Sequence, residues 1–523
     1  MSKNIRENHK ETPIPALVER QKRSCKRCNE KKIGCDRLVP CKACSKSGNP
    51  CIYPDKRAPR TLSRPSVPEL LARLEELETE VEQLRSTNQV TNENAQKGTN
   101  PCPSAFFDFS HDPTWSRETF YEEYFQPSQL KSFWQIYLTQ VAPIIAILHK
   151  PSAFTIFHDL SVGFALEPEH EALLLSVCSA AVASMTPEQC QTEIGRDYQA
   201  TRQNIDIAIN DALNRAKLLT TQNFIVLQAA VLYLLTSQVG GDPRRIWAET
   251  AIVIRVAQGQ KIHLDGEKIF LSPFDCEMQR RLWWHICILD MLVSEDQDVP
   301  RQIHPGMYDI GFPANIDDDD LIKDMEVLPP EKNGCTNITL AIVTAHFLTE
   351  FHWLHNIHDI TPREQRKEAV QDLGKRMEEQ YLQNCDLDQP LEWMTATIAR
   401  LHLSRAWLFV NLPSPGTPDD YLSKDMLFRT GVEVLEFMHL LQDNVLTEEW
   451  KWLWKGFREW HVMGYILTEL CSRPLDAESN HAWDMATKMY KQWLGNDSTM
   501  ESERAKSLAW LMESAVASRA TMM

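Results

Sequence analysis

A spacing of four and three runs through residues 70–91. Leu70, Leu74, Leu77, Val81 and Leu84 follow one another at intervals of four, three, four and three, and Asn88 and Thr91 continue the register. That is the seam of a short coiled coil, about three heptads long. Glu75, Glu76, Glu78, Glu80 and Glu82 fill the outer positions. Asn88 falls where a buried amide sets register and a two-stranded state. The alternative is an amphipathic helix packed on its own chain. The residues on either side differ in character. Before the heptad, 55–69 is a basic linker punctuated by Pro59, Pro65 and Pro68. After it, 92–113 reads as a flexible polar spacer.

Residues 114–523 carry helical spacing instead. Apolar runs of that period cover Leu130 to Leu148, His170 to Ala183, Phe224 to Leu235, Ile246 to Gln258 and Phe274 to Val293. Strand alternation is sparse, and the whole chain holds only 18 glycines. One helix start is sharply marked: Ser272 as N-cap, Pro273 at the first helical position and Asp275 in the first turn. Trp283, Trp284, Ile286, Cys287 and Leu289 then face a core. The fold class expected is mainly all-α. At 523 residues the chain is too long for a single core.

Composition alone, with 43% apolar and 24% charged residues, describes an ordinary soluble protein. Its charge distribution says more. Residues 1–64 hold 17 Lys plus Arg against 6 Asp plus Glu, a net of +11. The chain as a whole carries -17, so the remainder carries -28. A small basic head on a large acidic body fits one nucleic-acid end and one that is not. Met1 to Lys10 shows no apolar run of a secretory signal, and residues 1–20 read as disordered. Phe224 to Leu235, interrupted by Gln228, is too short to cross a bilayer. An intracellular protein with reduced thiols and no membrane partner is expected.

Fourteen cysteines in such a compartment point to metal wherever they cluster. Six fall in residues 21–54: Cys25, Cys28, Cys35, Cys41, Cys44 and Cys51. Gaps of two and six residues separate the first three, and the same gaps recur in the last three. The segment is a duplication. Two tetrahedral zinc ions need eight zinc–sulfur bonds, so six thiolates suffice only if two of them bridge. The duplication nominates the equivalent Cys25 and Cys41. Lys26, Arg27, Lys31, Lys32, Lys42 and Lys46 surround the cluster and offset its negative charge. A zinc-stapled module without a nucleic-acid role and a disulfide framework are the competing readings.

The segment CKRCNEKKIGCDRLVPCKACSKSGNPC resembles the fungal binuclear zinc-cluster transcription factors. The resemblance implies two Zn(II) ions, with the first and fourth cysteines bridging. It implies that Lys31 and Lys32 reach the bases of a CGG-like triplet in double-stranded DNA, Lys donors suiting guanine O6 and N7. Basic neighbours, among them Lys26, Arg27, Arg57 and Arg60, would meet phosphates. Asn29 and Gly34 depart from the family, which commonly has basic residues there. In the body, WQIYLTQVAPIIAILHKPS, RVAQGQKIHLD, LSPFDCEMQRRLWWHICILDMLVSEDQDVP and PANIDDDDL resemble the fungal-specific transcription-factor domain, an all-helical regulatory domain. The resemblance further implies a nuclear homodimer joined through the heptad, activating RNA polymerase II genes of a metabolic or biosynthetic pathway. A small-molecule inducer or a coregulator acting on the body, or repression, is the alternative.

No enzyme emerges from the motifs. The sequence has no HExxH, no GxSxG and no phosphate-binding GxxxxGK[ST] loop. His352, His355 and His358 beside Asp359 read as a polar helix face rather than a metal site. Asp317 to Asp320 reads as a solvated acidic turn. The eight cysteines from Cys102 to Cys471 lack ligand spacing and read as core or surface thiols. Trp450, Trp452, Trp454 and Trp460 read as core, with Trp450 and Trp454 on one helix face and Trp452 on another.

Overall fold

The computed structural model describes residues 24–53, 117–124, 126–161, 166–356, 361–412, 424–454, 458–494 and 503–522. The chain divides into two compact units, 1–100 and 101–523. Residues 1–20, the basic linker with Arg57 and Arg60, the heptad of Leu70, Leu74, Leu77, Val81 and Leu84, and the spacer 92–113 lie outside the described residues. Among those described there is helix and no strand, as the all-α reading expects.

The first unit contains two one-turn helices, α1 (Lys26–Glu30) and α2 (Lys42–Lys46). Among the described residues of the second unit, α3 (Arg117–Tyr124) and α4 (Pro127–Ile136) come first. The apolar run expected to stay helical to Leu148 does not. A π-helical turn, Tyr137–Val141, ends it, and 145–148 is irregular and buried. Pro143 is the cause: it has no N–H to offer the carbonyl of Thr139 four residues back. The indole N–H groups of Trp450 and Trp452 supply donors instead, to Thr139 O at 3.0 Å and Gln140 O at 3.1 Å. The three tryptophans divide as their spacing predicts. Trp452 sits in the larger apolar core, whereas Trp450 and Trp454 sit in a second core.

α5 (Lys150–Ser161) leads to α6 (Pro168–Ser184), which is buried along almost its whole length. α7 (Pro187–Glu193) opens on a reciprocal capping box between Thr186 and Gln189. α8 (Tyr198–Arg215) packs on α6, as does α9 (Phe224–Ser237). Helices apolar all round must be enclosed by others, and α6 and α9 enclose each other. Their few polar groups are satisfied within the pair or next to it. Ser176 Oγ donates to Ala229 O at 2.9 Å. Gln228, the polar interruption of the apolar run, donates to Ile147 O at 2.7 Å in the irregular buried stretch.

α10 (Pro243–Gly259) packs against α11 (Pro273–Gln297). α11 starts as the sequence predicts, with Ser272 Oγ accepting the Asp275 N–H at 3.1 Å. Trp283, Trp284, Ile286, Cys287 and Leu289 are all buried. The acidic turn contains one large departure from expectation. Asp318 is 2% exposed, not solvated. It pairs with the fully buried Arg281, whose Nε also meets Glu277 Oε1 at 2.8 Å. Asp318 Oδ2 accepts the Lys150 N–H at 3.1 Å, and Glu277 Oε2 accepts that of Ala314 at 3.0 Å. A guanidinium in a dry core needs such partners. Asp317 and Asp320 do stay at the surface, sharing Lys332.

Further helices follow: α12 (Thr339–Asn356), α13 (Arg363–Met377), α14 (Pro390–Asn411), α15 (Lys424–Asp443), α16 (Lys451–Trp454), α17 (Trp460–Leu470), α18 (Ala477–Leu494) and α19 (Glu503–Met522). α14, α15, α17, α18 and α19 supply most of the second core. His352 and His355 fall on α12, while His358 and Asp359 lie outside the described residues. Among the described residues no helix is long and apolar enough to cross a membrane. Among the described residues, Cys178, Cys190, Cys276 and Cys287 are buried core thiols, as expected, but Cys335 and Cys385 meet.

Candidate metal centre and nucleic-acid interface

The first unit has no apolar core beyond its own sulfurs among the described residues. Cys25, Cys28, Cys41 and Cys44 are its buried residues, with Cys35, Cys51, Ala43 and Tyr53 packed around them. Thirty residues cannot stabilise themselves on so little apolar area, so a metal must supply folding energy. The local fold repeats with the sequence. Cys25 is the N-cap of α1 and Cys41 the N-cap of α2. Each helix closes in the same way. Lys32 N–H reaches Asn29 O and Ile33 N–H reaches Cys28 O; sixteen residues on, Gly48 N–H reaches Ser45 O and Asn49 N–H reaches Cys44 O. This is the paired C-terminal closure in which one residue adopts a left-handed conformation. Glycine takes it in α2 and lysine in α1.

The sulfurs satisfy the requirement for shared ligands. Cys25, Cys28, Cys35 and Cys41 form one set with all Sγ atoms within 4.8 Å of one another, and Cys25, Cys41, Cys44 and Cys51 form the other. The two residues common to both sets are Cys25 and Cys41, the pair the duplication nominates. Sγ separations are 3.9 Å for Cys25–Cys41, 3.6 Å for Cys25–Cys44 and 3.7 Å for Cys28–Cys41. Zinc–sulfur bonds of roughly 2.3 Å in a tetrahedron put sulfurs about 3.8 Å apart. The donor set therefore fits two zinc ions, which would supply the fixed charge centres that order the two helices.

Backbone groups support the sulfurs symmetrically. The Cys41 N–H donates to Cys51 Sγ at 3.3 Å. Hydrogen bonding from the equivalent Cys25 backbone, with burial opposing it, holds the Cys35 thiol down at about 6. Burial pushes the Cys28 thiol well up, so that sulfur needs the metal to lose its proton. Three contacts were not legible from the cysteine spacing. Lys26 N–H donates to Ile52 O at 2.9 Å, and Tyr53 Oη donates to Leu38 O at 2.6 Å, so both ends of the module are pinned. Asp36 accepts the Lys42 N–H at 3.2 Å and braces the start of α2. The Val39–Pro40 peptide in the connecting loop is cis.

Among the basic residues, Lys26, Lys31, Lys32, Lys42 and Lys46 are exposed. Arg27 is half-buried and turns inward, its Nη1 reaching Cys44 Sγ at 3.8 Å. That contact suits the charge-offsetting place beside the sulfurs expected of it. Lys31 caps the C-terminal end of α1 and Lys32 follows it, so two adjacent ammonium groups leave one rigid point of the surface.

Two family models match the chain. The fungal Zn(2)-Cys(6) binuclear cluster domain covers residues 23–60, and the fungal specific transcription factor domain covers 130–381. The chain belongs to the fungal binuclear zinc-cluster transcription factors. Its cluster domain holds two zinc ions on the six cysteines. Relatives include the aurofusarin cluster transcription factor of Gibberella zeae, 27% identical over 383 residues, covering 70% of this chain and 57% of that protein. The pyriculol/pyriculariol biosynthesis cluster transcription factor 1 of Pyricularia oryzae is 25% identical over 376 residues, 68% of this chain and 50% of its own. A C6 finger domain transcription factor of Trichophyton rubrum is 23% identical over 535 residues, 90% of this chain and 76% of its own. The chain spans about half the length of several curated relatives it matches. Families and relatives alike describe transcription factors and not enzymes.

Proposed function

We propose that this zinc-cluster protein binds double-stranded DNA in the nucleus as a homodimer, reads paired CGG-like triplets, and controls transcription of a biosynthetic gene cluster. The observation that carries this reading is the placement of Lys31 and Lys32. Both are exposed at the end of a helix whose other end is capped by a bridging cysteine. Ammonium groups at that point suit the paired acceptors of guanine in the major groove. Lys26 and the linker residues Arg57 and Arg60 serve the phosphates and set register. The heptad of Leu70, Leu74, Leu77, Val81 and Leu84 pairs two chains, and the linker between cluster and heptad sets the half-site spacing. One relative is named for an aurofusarin cluster and another for a pyriculol/pyriculariol biosynthesis cluster, which supports the pathway class.

The test is competition binding of the zinc-loaded full chain at one stated salt concentration. A duplex with two CGG triplets should be preferred by about 10³-fold or more over the same duplex with both triplets altered. Leu77→Asp should sediment as a monomer and lose the advantage of the second triplet. Equal affinity for both duplexes contradicts the reading.

A further inference from the structure

Cys335 and Cys385 are fifty residues apart in sequence, yet their Sγ atoms lie 2.7 Å apart. Cys335 stands in the turn before α12, and Cys385 in the turn before α14; both are half-buried. Asn315 braces the segment that carries Cys335. Asn315 Nδ2 donates to Gly334 O at 2.8 Å, and Asn315 Oδ1 accepts from Thr336 Oγ1 at 2.8 Å. Gly334 has φ +100°, and a Cβ there would stand 3.2 Å from Asn384 Cβ. Only glycine lets the chains approach this closely without strain. Cys385 Sγ also reaches Tyr381 O at 3.4 Å.

Glu392 lies close enough to complete a three-ligand metal group with the two cysteines. The sulfur geometry decides against it. Two thiolates on one tetrahedral zinc sit about 3.8 Å apart, as the N-terminal sulfurs do at 3.6 to 3.9 Å. At 2.7 Å the sulfurs of Cys335 and Cys385 are too close to share an ion. Glu392 is moreover engaged, its Oε2 accepting the Asp386 N–H at 2.7 Å.

We propose that Cys335 and Cys385 form a reversible oxidation site in the regulatory body, at which hydrogen peroxide converts the two thiols to a disulfide. Cys385 is the attacking sulfur. The hydrogen bond from the Cys335 thiol holds its own thiol below the usual range and favours the thiolate. That thiolate attacks one peroxide oxygen; the O–O bond breaks, and the departing oxygen takes up a proton and leaves as water. Cys385 becomes a sulfenic acid. Cys335 Sγ then attacks the Cys385 sulfur; the S–O bond breaks, and the hydroxide leaves with the Cys335 proton as a second water. Two thiols lose two electrons and the peroxide gains them. A dithiol reductant restores the pair by exchange. The disulfide closes a ring that contains α12 and α13, and so ties the start of α12 to the start of α14.

The experiment uses the zinc-loaded full chain, treated with limiting hydrogen peroxide, blocked by alkylation in denaturant and mapped by mass spectrometry. A peptide linking Cys335 to Cys385 should appear while zinc stays at two per chain, and dithiothreitol should remove the link. The oxidised protein should melt several degrees higher. In Cys335→Ser that shift should vanish and dimedone should label Cys385. Absence of the linked peptide at a dose that already oxidises the N-terminal cysteines would overturn the proposal. So would a third zinc per chain that Cys335→Ser abolishes, because it would make the pair a metal site.

Discussion

Lys32 and Gly48 occupy the same place in the two halves of the zinc cluster, sixteen residues apart, and both have left-handed backbone, with φ of 50° and 63°. Glycine takes this conformation freely, whereas a lysine there costs about 1 kcal/mol. Strain of this kind persists where the surroundings over-determine it, and it gathers at functional sites.

Lys32→Gly therefore separates folding from reading. The variant should keep two zincs and fold at least as stably as the parent. It should lose roughly 1–3 kcal/mol of discrimination for the half-site. Zinc analysis, thermal melting and competition binding check the three parts. A uniform loss across all DNA sequences would make Lys32 a phosphate contact instead.

The shared position of Cys25 in both sulfur sets gives a metal prediction. Cys25→Ser removes a ligand from both ions, while Cys51→Ser removes one from a single ion. Zinc content should fall nearly to zero in the first variant and by about one ion in the second. Two zincs retained by Cys25→Ser would contradict the bridging assignment.

In the body, Arg281 is a fully buried charge held by two buried carboxylates. Arg281→Met leaves Glu277 enclosed without the guanidinium and Asp318 with only the Lys150 ammonium at 3.8 Å, and breaking such a buried pair costs about 3–5 kcal/mol. The denaturant midpoint of the full chain should drop accordingly. Replacing Glu277 and Asp318 by apolar residues in the same variant should recover much of the loss. A midpoint unchanged in Arg281→Met would show that the network contributes nothing to stability.

Local signals were legible and distant meetings were not. Cysteine spacing identified the sulfur sets and their shared pair because each set is built from a short repeat. The same repeat already aligned Lys32 with Gly48, which would have exposed the left-handed lysine. Pro143 carried the signal that the helix stops before Leu148, though apolar spacing alone ran through it. Helical spacing also divided Trp450 and Trp454 from Trp452. Asp318 looked solvated because its partner, Arg281, is 37 residues away and only the fold brings them together. Cys335 and Cys385 escaped for the same reason. Arg27 was legible as one of six cations around the cluster, but nothing local set it apart from the five exposed lysines as the one that reaches Cys44 Sγ.

Selection from random duplex DNA with the zinc-loaded full chain, at one stated salt concentration, tests the central claim most directly. Enrichment of paired CGG-like triplets at a single spacing is the predicted result. No enrichment from a chain that holds its two zincs would contradict it, leaving the cluster a structural staple.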